Sequence, residues 1–208
     1  MFQATRAQGL ATLLAGALLI ACGGDDDPHA VPCPIGDLSA PAEMQIVHLD
    51  ENNAVIDTQP MQSVPLIAPP QGGWIVLLGV RAKNLDCRAV LTTALVDPCD
   101  DLILQLDKRP TQLIVGSDGW GLSSVTSFGN LPVCPQLNST RDLYGVPYTL
   151  KVAVEDAAGQ KAAGSISVVP TCLDDTSRCT CECNHDYVVG ADCPAVETPH
   201  TTCSTNAR

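Results

Sequence analysis

Ten of the eleven cysteines lie between residues 33 and 203, and that even set has no metal-binding spacing to explain it. So many thiols do not suit a reduced cytosolic protein, and an even number reads as disulfides formed after export. Cys33, Cys87, Cys99 and Cys134 are spread over the middle of the chain, whereas Cys172, Cys179, Cys181, Cys183, Cys193 and Cys203 crowd its last part. The split predicts two separately closed sets, with a bridge between them allowed. Connectivity stays open, because six cysteines alone permit 15 pairings. Cys179 and Cys181 stand too close together to be each other's partners.

The remaining composition narrows the class. A chain of 208 residues allows one domain with a small appendage and is long enough to bury a core. Aromatic residues make up only 3%, so that core must be built from Val, Leu, Ile and Ala. A formal charge of -12 argues against nucleic acid, since phosphate binding needs clustered Lys and Arg.

The eleventh cysteine, Cys22, follows an apolar run from Leu10 to Ala21, with Arg6 as the one basic residue ahead of it. The run is too short for a membrane-spanning helix, which needs about 20 apolar residues. It has the layout of a signal peptide over residues 1–21. Its end, Leu19, Ile20, Ala21 and Cys22, resembles the lipobox of bacterial lipoproteins. That resemblance implies cleavage after Ala21, lipidation at Cys22 and partnership with a membrane through the N-terminal lipid. Gly23 rather than Asp follows the cysteine, which in that family leans toward the outer membrane. Residues 22–42 are rich in Gly, Asp and Pro and read as a flexible, solvated tether. Asp25, Asp26 and Asp27 lack the spaced ligands of a calcium loop.

Residues 43–171 alternate short β-favouring runs with turn residues and show no sustained helical period, which predicts an all-β sandwich or barrel. Met44–Leu49 and Ala54–Asp57 flank a turn at 50–53. Trp74–Lys83 and Arg88–Val96 flank another turn signal at 84–86. Leu102–Leu106 and Gln112–Val115 read as two strands interrupted at Lys108, Arg109 and Pro110. The clearest alternation puts Tyr148, Leu150, Val152 and Val154 on one face, turns at Asp156–Gly159, and resumes at Ile166 and Val168. This stretch resembles the last hairpin of immunoglobulin-like modules on bacterial surfaces, including the PKD type. The resemblance implies an immunoglobulin-like β-sandwich and no particular activity.

Residues 172–208 form the expected cysteine-rich appendage, too small to hold together without bridges. Cys181, Cys183, Tyr187 and Cys193 resemble the C-terminal part of an EGF-like module, with Asp186 standing where that family has Gly or Pro. Cys179, Cys181, Cys183 and His185 alternate, so an extended strand would point all four one way and offer thiolate and imidazole ligands. Period-2 spacing sets such ligands nearly 7 Å apart, however, and no metal or other cofactor is expected.

No G-x-S-x-G, H-E-x-x-H or phosphate-binding glycine loop occurs. His29, His48, His185 and His200 sit in no recognisable constellation, and His48 reads as a solvent-facing strand residue. Asp100 with Asp101, and Asp174 with Asp175, read as solvated loop acids. Trp120, between Gly119 and Gly121, is the candidate ligand-binding residue; the competing reading makes it a plug at the end of the sandwich. The expectation is a non-enzymatic, lipid-anchored envelope protein that acts as a binding or structural module with a protein partner. The alternatives are a carbohydrate or small-ligand module centred on Trp120, and a metal-handling or redox protein using the tail.

Overall fold

The fold comes from a computed structural model, which describes residues 33–136, 138–173, 175–193 and 199–203. Residues 1–32, which include the stretch expected to be a signal peptide, Cys22, His29 and most of the expected tether, lie outside the described residues. Ten strands and one short helix follow: β1 (Glu43–Leu49), β2 (Val55–Asp57), β3 (Gln62–Leu66), β4 (Trp74–Lys83), β5 (Arg88–Asp97), β6 (Leu102–Val115), β7 (Gly121–Ser123), β8 (Gly129–Cys134), β9 (Tyr148–Asp156), β10 (Lys161–Cys172) and α1 (Thr176–Glu182). Strand pairing runs β2-β1-β4-β7-β6-β5-β9-β10-β3 in an open sheet, with β8 also on β4. Every pairing is antiparallel except β3 with β10.

Strands far apart on that path share one core. Trp74, Val76 and Leu78 of β4 and Leu131 and Val133 of β8 cluster with Leu95 of β5, Leu150 of β9 and Val168 of β10. The sheet therefore curls until its two halves face each other. Aliphatic residues supply most of the buried interior as the composition requires, yet Trp74, Tyr148 and Phe128 are the largest fully buried side chains among the described residues. On β9, Tyr148, Leu150, Val152 and Val154 are all buried while Lys151 and Glu155 are exposed, as the alternation predicts. Gly159 closes the β9–β10 turn at φ 87°, where a side chain would be strained.

Two local expectations change. Residues 102–115 form one continuous strand rather than two. The amide of Leu113 donates to Cys87, so odd-numbered residues of β6 from Gln105 to Leu113 bond to β5, and Pro110 sits where its missing N–H would point away from that strand. β4 and β5, though separated only by residues 84–87, do not pair; the chain crosses there from one half of the sheet to the other. Asn84 sits at that crossing with φ 61°, and its side chain donates to the carbonyl of Pro41 and accepts from the amide of Asp37.

Residues 33–42, grouped with the tether by composition, are fastened to the sheet. Ile35 is buried and pairs its main chain with Leu85, and Cys33 is bridged to Cys87.

Candidate functional site

Five disulfides join all ten cysteines from 33 to 203: Cys33–Cys87, Cys99–Cys203, Cys134–Cys183, Cys172–Cys179 and Cys181–Cys193. Two of them, Cys99–Cys203 and Cys134–Cys183, cross between the two sets of cysteines, so the sets are not closed separately. The reason is visible in α1. Where alternation in an extended strand would aim Cys179, Cys181 and Cys183 one way, a helical turn puts Cys179 and Cys183 on one side and Cys181 on the other. The first side meets Cys172 at the end of β10 and Cys134 at the end of β8, and the other meets the loop that returns to Cys193. The sulfurs of Cys172, Cys179 and Cys183 lie within 4.8 Å of one another, but each belongs to a bridge. The thiolate ligand set considered for the tail is therefore not formed.

Around this junction the fold assembles a titratable cluster. Asp142, in the loop between β8 and β9, is fully buried. One carboxylate oxygen accepts from the His185 amide at 3.0 Å and lies 2.8 Å from His185 Nδ1; the other accepts from the His200 amide at 2.7 Å. The imidazoles of His185 and His200 stack with centroids 4.7 Å apart. Next to it, Arg141 and Asp97 form a buried ion pair at 2.8 Å, and the Arg141 guanidinium lies 4.7 Å from the centroid of the Tyr148 ring. The Tyr148 hydroxyl donates to the Asp142 carbonyl at 3.0 Å. Burial pushes that phenol up to about 12. Trp74 reaches from the core to the tail as well, its indole donating to Glu182 at 2.8 Å while Arg178 pairs with the other Glu182 oxygen.

An Asp–His pair can orient a catalytic imidazole. Here the far nitrogen of His185 faces the Asp186 carboxylate at 3.3 Å, and His200 Nε2 lies 3.3 Å from Thr202 Oγ1. Asp142 fastens both histidines, and with them the tail, to the loop between β8 and β9. No sequence pattern announces the cluster, since Asp142 lies 43 and 58 residues from the histidines it holds.

Trp120 lies at the surface, half-buried and outside the core clusters, on the ledge made by β4. Lys83 Nζ is 4.9 Å and Arg81 Cζ 5.9 Å from its ring centroid. Arg81 also pairs with Asp118 and with Asp57, and Lys83 with Glu43. The amide of Trp120 bonds to Asp118 and holds that carboxyl below its usual range. The loop is thus pinned by charge at its base and presents an aromatic edge.

His48 is not solvent-facing. It is 2% exposed, its Nδ1 lies 3.0 Å from Thr58 Oγ1, and desolvation lowers its pKa below the usual 6.5. Both faces of β1 are covered here, because Val47 and Leu49 pack on Phe128 on the opposite side. Asp100 accepts from the amide of Leu102 in a turn, and Asp175 precedes α1; Asp174 lies outside the described residues. No family model, curated protein or solved structure matches this chain.

Proposed function

We propose that this chain is a lipid-anchored protein of the bacterial envelope whose immunoglobulin-like β-sandwich works by binding rather than by catalysis. The observation that carries the reading is the set of five bridges uniting every cysteine from 33 to 203, an architecture suited to an oxidising compartment. Cys22 lies apart from those bridges in sequence, behind the short apolar run, which supports its assignment to the lipid. Gly23 after it supports the outer membrane. The alternating β9–β10 hairpin and a core shared by two facing halves support the sandwich, and loops or a strand edge supply the contact surface.

Two measurements test this. The wild-type chain should partition into detergent and Cys22→Ala should not; partition of both variants alike overturns the lipid anchor. Cross-linking in the envelope followed by affinity recovery should return a partner absent from an unrelated lipidated control. Recovery of nothing above that control overturns the binding role.

The surface position of Trp120 favours one second reading, a carbohydrate or small ligand stacked on that ring. Trp120→Ala should then abolish a ligand-induced fluorescence change; a polysaccharide panel that leaves the emission of wild type unchanged removes this reading.

A further inference from the structure

A strand that pairs on only one side leaves main-chain groups facing outward, and two such edges meet in this fold. β2 covers β1 only from Val47 to Leu49. β3 covers β10 only from Val168 to Cys172. Glu43–Gln45 and Lys161–Ile166 therefore each carry an uncovered edge.

The register fixes which residues point there. Thr58 donates its amide to the Ile46 carbonyl, so even-numbered residues of β1 turn their main chain away from β4, Met44 among them. Met61 donates to the Ser167 carbonyl, so odd-numbered residues of β10 turn theirs away from β9, including Ala163 and Ser165. Among the described residues nothing pairs with the outward main-chain groups of Met44, Ala163 and Ser165.

The two edges are the walls of a cavity of about 310 Å³, at the small end of the range for ligand pockets. Gly164 opens it. This residue shares the face of β10 that carries Ala162 and Ile166 yet is itself exposed, and a Cβ there would meet only the Met44 methyl, at 4.0 Å. Met44, Ile46 and Ile166 line the cavity with apolar surface, and Thr58 and Gln59 close one end.

The chain itself shows what suits this gap. Where residues 58–61 cross it, their amides donate to Ile46 on one wall and Ser167 on the other. We infer that the adjoining stretch, between Met44 and Ala163–Ser165, binds an extended segment of a partner polypeptide, which adds to a strand edge and seats one apolar side chain over Gly164. This deepens the binding role proposed above and rests on it; it names the edge and the class of partner. Main-chain pairing supplies affinity and the cavity supplies side-chain preference.

The test uses the full exported chain with Cys22→Ala, so that it does not depend on the lipid. Blocked pentapeptides Thr-X-Thr-X-Thr, with X as Ala, Val, Leu or Phe, are titrated while the backbone amides of the protein are followed by NMR. Saturable shifts and slower exchange are expected at Met44, Ala163 and Ser165 with X as Val, Leu or Phe. Methylating the peptide's alternate amides should weaken binding about tenfold or more, through lost main-chain bonds. Gly164→Val fills the cavity at a backbone angle that valine tolerates. It should fold with an unchanged spectrum elsewhere and lose the response. The proposal is overturned by an absence of saturable shifts across the panel, by equal binding of methylated peptides, or by equal binding to Gly164→Val. Concentration-dependent shifts of the same amides without peptide would assign the edge to a second copy instead, overturning the partner. A failure in any of these ways leaves the detergent and cross-linking results of the broader reading untouched.

Discussion

The centre of the sheet and the C-terminal segment reach order by different means. In β4, β5 and β9, Leu78, Val80, Leu91, Leu95, Leu150 and Val154 are fully buried, and removal of apolar surface from water is the main stabilising term. The segment from Asp175 to Cys193 has almost no aliphatic residues to offer. Its two adjacent valines, Val188 and Val189, are 68% and 64% exposed. Cys179 and Cys183, by contrast, are fully buried, so the bridges double as the apolar contacts of the tail. A helix of seven residues would not persist alone, and it is held between disulfides and a buried carboxylate. Covalent closure appears where the sequence is too polar to collapse.

The sharpest way to break that contrast is to open the bridge between the two regions. Cys134→Ala with Cys183→Ala removes a closure spanning 49 residues, for which loop entropy predicts about 4 kcal/mol of lost stability in chemical denaturation. Asp142→Ala comes next. It leaves the His185 and His200 amides and the His185 ring without their buried acceptor, at a cost of about 3 kcal/mol. Amide exchange should accelerate at His185 and His200 while Leu150 and Val152 stay protected. Acceleration in β9 to the same degree would mean that tail and sheet unfold as one unit.

Tyr148→Phe probes the seam from the sheet side. It removes the hydroxyl bonds to the Asp142 carbonyl and to Ser139, and should lower stability by about 1 kcal/mol. The smallest effect belongs to His48, inside the sheet and remote from the bridges. Its folded pKa lies below 6.5, so the unfolded chain binds the extra proton first. Its contribution is complete above pH 6.5 and is lost as pH falls from there through the folded value. His48→Gln should flatten the pH dependence of unfolding in that window, and an unchanged slope would place the titration elsewhere.

How much of this was legible in the sequence depended on range. The β9–β10 hairpin could be read residue by residue, because period-2 alternation and a turn containing Gly159 are local signals. The edges of β4 and the start of β5 were equally plain, but not that they part company, since pairing is a choice among distant partners. The continuity of β6 was hidden by Pro110, whose tolerance depends on which neighbour it turns its back to. His48 looked like an outward-facing residue because a single strand does not reveal that both its faces are covered. Asp142 gave no sign at all; its role exists only once residues 185 and 200 arrive beside it.

By itself, the sequence determined that this chain is β-rich, that the ten cysteines from 33 to 203 pair among themselves, and that its core is mostly aliphatic. Those properties follow from composition and from periods of a few residues. Only the tertiary structure decided that two bridges cross between the two sets of cysteines, that a buried carboxylate clasps two histidines, and that Gly164 opens a cavity between two uncovered edges. Each of these depends on contacts between residues far apart in the chain, and long-range register is set by how the whole sheet curls and packs rather than by any local run of residues.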